Sequence, residues 1–391
     1  MTEVDEQVLA ARLGLSWVRE PGSKALYELV ERMGPVDAWR SVITGRAGDE
    51  IAKVTSARLN GRDPARVLAG LRKAAERLGV IILVPESPDW PSALDDLAAI
   101  SVEGDEPIER DTFPPQALWL RGALPLEATA GRSVAIVGSR ASTEYGEHVA
   151  SELAYRLARQ GWAIISGGAY GIDAAAHRGA ITAGGGTIAT LASGVDRPYP
   201  AGNSGMFEEI AEAGLLISEW PPGSAPHRVR FLIRNRVIAA LSRGTIMVEA
   251  AARSGARQTL RRARQLGRVA MAVPGPATSS MSVGCHEELR REGEDRVRLV
   301  ANADHVLEEI GMIGDGLAGV PQGPVRPIDL LTTLEKQIID ATPRGTGATA
   351  LEIAATVSLP VTYVLATLPA LELRGHVKRG KDGTYRLSLK T

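Results

Sequence analysis

The chain of 391 residues holds one cysteine, Cys285, which excludes a disulfide within it and suits a reducing compartment, so a cytoplasmic protein is expected. Lysine is missing between Lys73 and Lys336, so the permanent positive charge of the middle of the chain is arginine alone. Phenylalanine is scarce, three in all, so one set among arginines stands out. No apolar run approaches the roughly 20 residues that span a bilayer, and the acidic opening MTEVDEQ is unlike a signal peptide, so no membrane association is expected. The six histidines are dispersed and no CxxC, HxxH or HExxH spacing occurs, so no metal site is expected. A Walker A loop is absent as well: the one Gly-Lys pair, Gly380-Lys381, runs into Asp382. Without these, neither ATP-driven nor metal-assisted chemistry has a basis, and neither a cofactor nor a catalytic residue is assigned.

Net charge is close to balance at −1, but the charges are not mixed. Residues 228–268 carry eleven Arg against the single acid Glu249, whereas residues 83–112 carry nine Asp or Glu against Arg110. Local polarity therefore says more about partners than the whole-chain balance does.

At about 150 residues per domain the length accommodates two or three. Residues 5–78 read as short helices broken at Gly14, Gly22, Gly34, Gly45 and Gly61. Short apolar runs at Val80–Val84 and Ala117–Arg121 flank an acidic, proline-bearing loop. From 133 onward apolar runs alternate with helical patterns, at 133–137, 162–165, 187–191, 215–218, 245–249 and 268–273. That alternation predicts an α/β fold, a doubly wound parallel sheet with helices on both faces. A Gly/Pro-rich stretch follows, and then 63 residues with helical patterns at Leu334–Ala341, Ala350–Val357 and Val361–Leu373 and a hairpin around Lys381-Asp382-Gly383. The expected division is a helical module at 1–78, a sheet domain at 79–311, a linker at 312–328 and a winged-helix-like module at 329–391. The third helix of that last module has almost no side chain that reads a major groove, which favours a protein-contact or auxiliary role over duplex-DNA binding. Lys378, Arg379 and Arg386 remain able to touch phosphates.

Two strand–glycine-loop–helix passages stand in succession, VAIVGSRASTEYG (134–146) and SGGAYGIDAAAHRG (166–179). Each puts a helix N-terminus behind a tight loop, an arrangement that suits an anion. In the first, Ser142 is the expected helix cap. The dinucleotide fingerprint wants a glycine where Arg140 stands. An arginine there fills the space of a pyrophosphate and offers a charged fork to an external phosphate. Ligands of an open parallel sheet sit beyond the carboxyl ends of its strands, which points to Gly138, Ser139 and Arg140 and to Ser166, Gly167 and Gly168. Glu219 and Glu249 fall on the same edge and are read as orienting arginines and bonding loops, with a catalytic acid–base pair as the alternative. Asp173 and His177 are read as a helix cap and a packed histidine rather than a metal or catalytic pair.

The most basic element, PHRVRFLIRNRVIAALSRG (226–244), places Phe231 beside Arg234, Asn235 and Arg236 at an expected helix start. Arginines on phosphates and a ring beneath a base suit single-stranded nucleic acid. The alternative is a packed Phe231 with the arginines paired to Glu219 and Glu249. The later run Arg257, Arg261, Arg262, Arg264 and Arg268 reads as a solvated helix face.

The ordered set IVGSR, SGGAYGIDAAAH, TIATLASGVDRPYP, ISEWPPG, FLIRNRVIAALS, VEAAARSG and VPG resembles the DNA-processing protein A (DprA/Smf) family over about residues 113–310. The flanks are similar to family members with an N-terminal SAM or helix-hairpin-helix-like module and a C-terminal winged-helix-like module. The resemblance implies an extended Rossmann-like domain that binds single-stranded DNA without sequence preference. It also implies a homodimer that helps load the RecA recombinase onto incoming DNA, in competence, DNA uptake and natural transformation, as a mediator and not an enzyme. By position the family's phosphate-binding arginine falls on Arg140, its second glycine loop on Ser166, Gly167 and Gly168, and its basic-aromatic segment on Phe231, Arg234, Asn235 and Arg236. Two stretches depart from the family pattern: SGARQTL (254–260) puts Arg257 and Gln258 where apolar and small residues are usual, and GCHEELRREGE (284–294) puts His286 in place of an asparagine. Both are expected to lie outside the DNA motifs. A nucleotide hydrolase of the phosphoribohydrolase type is the alternative, although its PGGxGTxxE motif is absent; a scaffold for protein partners is a third.

Overall fold

The structure, a computed structural model, describes residues 4–100, 112–293, 296–311 and 331–388. The linker expected at 312–328 lies outside the described residues. Two compact units divide the chain, Met1–Ala318 and Gly319–Thr391.

The first unit is built on a nine-stranded sheet. Its strands are β1 (Ile81–Leu83), β2 (Leu118–Gly122), β3 (Ser133–Gly138), β4 (Ala163–Ser166), β5 (Thr187–Leu191), β6 (Leu215–Ser218), β7 (Gly244–Val248), β8 (Val269–Ala272) and β9 (Arg298–Leu299), in the order β1-β2-β6-β5-β4-β3-β7-β8-β9. From β6 to β9 all neighbours are parallel, as the alternation predicts; β2 and β1 extend the β6 edge antiparallel. The apolar run of β3 is uninterrupted because both of its faces are covered. Val134 and Ile136 pack with α6 (Glu144–Arg159), α7 (Ile172–Thr182) and α12 (Ala303–Ile310). Ala135 and Val137 pack on the other face with α9 (Arg228–Leu241) and α10 (Gly255–Gln265) and with Leu94 and Leu97 of a 3₁₀ segment. Between these, α5 (Leu126–Ala130), α8 (Ser204–Ala213) and α11 (Val283–Leu289) complete the unit.

Four helices open the chain: α1 (Glu6–Val18), α2 (Lys24–Ile43), α3 (Asp49–Leu59) and α4 (Pro64–Leu78). The expected break at Gly14 is not one, for Gly14 lies inside α1. A Cβ there would sit 2.7 Å from the Trp39 ring of α2, so this glycine admits a crossing helix rather than ending its own. Gly34, at φ 77°, instead marks a bend within α2. The division drawn at residue 78 does not separate compact units, since Leu13 and Ala75 share a core with Trp119 and Phe207 of the sheet region.

The second unit has α13 (Thr333–Ala341), α14 (Ala350–Val357) and α15 (Val361–Leu373), followed by a hairpin of β10 (Val377–Arg379) and β11 (Tyr385–Leu387). Thr332 with Glu335, and Thr349 with Glu352, form capping boxes that start the first two helices. Ile338, Ile353, Val364, Leu368, Leu371 and Val377 make a core of its own. Among the described residues no single helix is long and apolar enough to cross a membrane.

Candidate nucleic-acid interface

From β3 the chain winds outward through β4, β5 and β6, then returns to β7 on the other side of β3 and winds outward again. The crevice at such a reversal, beyond the carboxyl ends of the strands, is where an open sheet takes its ligands. An open cleft of about 850 Å³ lies there, walled by the loop after β3, the start of α9 and the start of α10.

The loop after β3 is held from below by Glu249. The backbone oxygen of Glu249 accepts from Ser139 N–H at 2.8 Å, and its carboxylate accepts from Thr143 N–H at 2.8 Å and from Thr143 Oγ1 at 2.5 Å. Glu249 itself sits at φ 51°, a left-handed conformation that costs a non-glycine residue about 1–3 kcal/mol. The bonds it makes to the loop hold it there. Thr143, not Ser142, caps α6; Ser142 Oγ donates to Glu147 at 2.7 Å. The bonding role expected of Glu249 is thus met, and Arg140 is left exposed on the rim with its Cζ 4.7 Å from the centroid of the Phe231 ring.

Arg234 forms the floor. It is 4% exposed, its Nη1 donates to Thr190 O, and its Nε has no partner. Burial pushes its pKa down to about 10, with Arg140 adding to the effect and Asp173 opposing it, so it keeps its charge at neutral pH. Asp173 is the one carboxyl on the cleft wall among the described residues; burial pushes its pKa up against the pull of Arg234. His177 on the same helix is buried and neutral, its pKa lowered to about 3 by burial and by Arg234. Asn235 lies on the wall with its Nδ2 donating to Gly255 O at 3.4 Å. Phe231 lines the cleft, half-buried.

Several expectations are corrected. Ser166, Gly167 and Gly168 are buried and absent from the cleft wall. Ser166 Oγ donates to Ile136 O at 2.6 Å. A Cβ on Gly167 would stand 2.1 Å from Arg234 Nη1, and one on Gly168 2.4 Å from the Phe207 ring. These glycines make room for protein side chains, and Ala169 is what reaches the cleft. Arg236 is 2% exposed and forms a two-pronged pair with Glu219 at 2.6 and 2.7 Å, with a further bond to Phe113 O at 2.9 Å. Its charge is consumed inside the protein, which removes it from any ligand site; the pairing alternative holds for it. Asn235 and Arg236 also sit in mid-helix, because α9 starts at Arg228. The later arginine run is not a free solvated face: Arg257 pairs with Glu287 and Glu288, Arg262 is 3% exposed, and Arg268 pairs with Asp96 of the acidic segment. The two departures from the family pattern therefore meet each other, Arg257 of one on Glu287 and Glu288 of the other. The first is not remote from the site, since Ser254, Gly255, Ala256 and Thr259 line the cleft.

Among the cleft residues that the sequence did not point to are Arg228, Arg253 and Tyr199. Arg228 and Arg253 are exposed and, like Arg140, form no ion pair among the described residues. Their signal was present in part, Arg228 in the basic segment and Arg253 five residues past the end of β7. Cys285 is buried and its thiol is pushed up to about 11 by burial, which leaves it inert. Among the described residues no three His, Cys, Asp or Glu side chains converge as a metal site would require.

The family model for DNA recombination-mediator protein A matches residues 82–311. A DNA processing protein DprA of Mycobacterium tuberculosis is 44% identical over 374 residues, 95% of this chain and 92% of that one. The Smf protein of Escherichia coli is 32% identical over 298 residues, covering 72% of this chain and 76% of its own. Among solved structures, DprA of Streptococcus pneumoniae superposes with a TM-score of 0.62 at 28% identity, over 79% of this chain and 99% of that one. With the sheet order, the cleft and these matches in agreement, the chain belongs to the DNA recombination-mediator protein A family.

Proposed function

We propose that the cleft holds the backbone of single-stranded DNA and that the protein acts by binding, as a cytoplasmic mediator that dimerises and helps load RecA during recombination and DNA uptake. The observation that carries the DNA reading is selective neutralisation. In the same arginine-rich stretch Arg230, Arg236, Arg257 and Arg268 are tied to acids. Arg228 and Arg253, with Arg140, form no ion pairs among the described residues around the cleft. Arg234 sits beneath them, and Asp173 is the one acid on the wall among the described residues. Cations left without internal partners around a concavity attract a polyanion. A concave cleft of this size admits a strand, whereas a duplex carries its phosphates on a convex surface.

Membership in the family supports a DNA-processing role in recombination; RecA loading, dimerisation and a winged-helix character for the second unit are part of the proposal. The test is affinity for an oligothymidylate as a function of salt. The log–log slope should be about −0.7 for each neutralised phosphate on a single strand, so Arg228→Ala with Arg253→Ala should flatten it by roughly 1.4. A slope near zero in the unaltered protein, or an unchanged slope in the variant, would count against the cleft as the DNA site.

A further inference from the structure

Phe231 was expected to be the ring beneath a base, but two protein groups already engage it. The Arg140 guanidinium lies over the ring at 4.7 Å, and Tyr199 packs against it edge-on, with centroids 5.8 Å apart and planes at 64°. Tyr199 lines the same cleft and is 47% exposed. Its hydroxyl makes no hydrogen bond among the described residues, in contrast to the exposed Tyr145, whose hydroxyl is anchored to Pro274 O at 2.7 Å. The loop that carries Tyr199 is braced on both sides of Asp196: Ser193 Oγ donates to Arg197 O at 2.8 Å, and Gly223 N–H donates to the Asp196 carboxylate at 2.8 Å. The ring is therefore set in place before any ligand arrives, which lowers the ordering cost of stacking.

We infer that Tyr199 is a nucleobase-stacking subsite of the cleft, with Phe231 serving as the wedge that fixes Tyr199 and Arg140 relative to each other. This rests on the cleft being the DNA site. A nucleotide whose phosphate meets Arg140 or Arg228 carries its base on the other side of the sugar, and of Tyr199 and Phe231, which both line the cleft, Tyr199 is the more exposed. Every base has a π-face, so a tyrosine platform is tolerant of sequence. On the polar wall beside it, Asn235 Nδ2 donates to Gly255 O at 3.4 Å and to Gln258 Oε1 at 3.5 Å.

The test compares an oligothymidylate with an abasic deoxyribose-phosphate oligomer of equal length, for the unaltered protein and for Tyr199→Ala, Tyr199→Phe and Arg140→Ala. Loss of one stacked base weakens binding by about 5- to 150-fold. Tyr199→Ala should show that loss with the oligothymidylate and none with the abasic strand, and Tyr199→Phe should restore full affinity. Arg140→Ala should weaken both strands. Equal losses on both strands for Tyr199→Ala would mean that the ring acts through the phosphate contacts or the fold, and the stacking assignment falls. No loss on either strand while Arg140→Ala still weakens both also overturns the stacking assignment and leaves the cleft standing. If Arg140→Ala too has no effect, the cleft is not the DNA site and both readings fall together.

Discussion

Arg140 and Arg236 have the same side chain and lie on neighbouring elements, yet their energetics are opposite. Arg140 stands on the rim with no carboxylate partner among the described residues, so it is placed to meet an external phosphate. Arg236 is surrounded, its five donors satisfied by Glu219, Phe113 O and Ile233 O. Removing one member of a buried pair leaves the other charge uncompensated, which costs about 3–5 kcal/mol. Arg236→Ala should therefore lower the unfolding free energy by that amount, read as a lower denaturant midpoint, and Arg236→Met with Glu219→Gln should recover part of it. An unaltered midpoint together with lost DNA affinity would reverse the assignment and put Arg236 back on the ligand.

Helix α7 meets β5 through a buried polar contact. Thr187 Oγ1 of β5 donates to Ile164 O at 2.9 Å, so it accepts from His177 Nδ1 at 2.8 Å, which fixes the proton on Nδ1. Nε2 has no partner and lies within the field of Arg234, so the imidazolium is disfavoured. The folded pKa of about 3 is below the usual 6.5. Between these values the unfolded chain takes up a proton that the folded chain refuses. The contribution is complete above about pH 6.5 and is lost as pH falls toward 3, by up to about 1.4 kcal/mol per pH unit. Urea unfolding across that window should show this slope for the unaltered protein and a shallower one for His177→Gln. Equal slopes would mean that His177 is hydrated or protonated in the fold. Helix α9 makes the companion point about elements: its N-terminal turns face the cleft through Arg228 and Phe231, while its C-terminal half, Val237 to Leu241, is core.

At the scale of the whole molecule the cleft belongs entirely to the first unit, while the second has its own buried core built on Ile338, Val364 and Leu368. A chain ending at Ala318 should therefore fold and bind single-stranded DNA with the affinity and salt slope of the full protein. Thermal unfolding of the full chain should show a component that this shortened chain lacks. Loss of binding on truncation would assign part of the DNA site to Gly319–Thr391.

What the sequence determined by itself was whatever depends on local periodicity. The six apolar runs from 133 onward became β3 to β8 with boundaries shifted by a residue or so, and the helices at 350–357 and 361–373 came out with their expected ends. The edge carrying Gly138, Ser139 and Arg140 follows from the same logic, since strand ends in a parallel sheet are a matter of order along the chain. Tertiary structure alone decided which charges are spent. Arg234, Arg236 and Arg228 stand within nine residues on one helix, and nothing in their spacing says that Glu219 reaches Arg236 while no acid among the described residues reaches Arg228. The glycines show the same limit: Gly14 and Gly167 read as a helix break and a phosphate cradle, but each is small because Trp39 or Arg234 comes from elsewhere in the chain to fill the space. Pairing and packing depend on residues distant in sequence, so the composition of the site was legible whereas the division between structural and available charge was not.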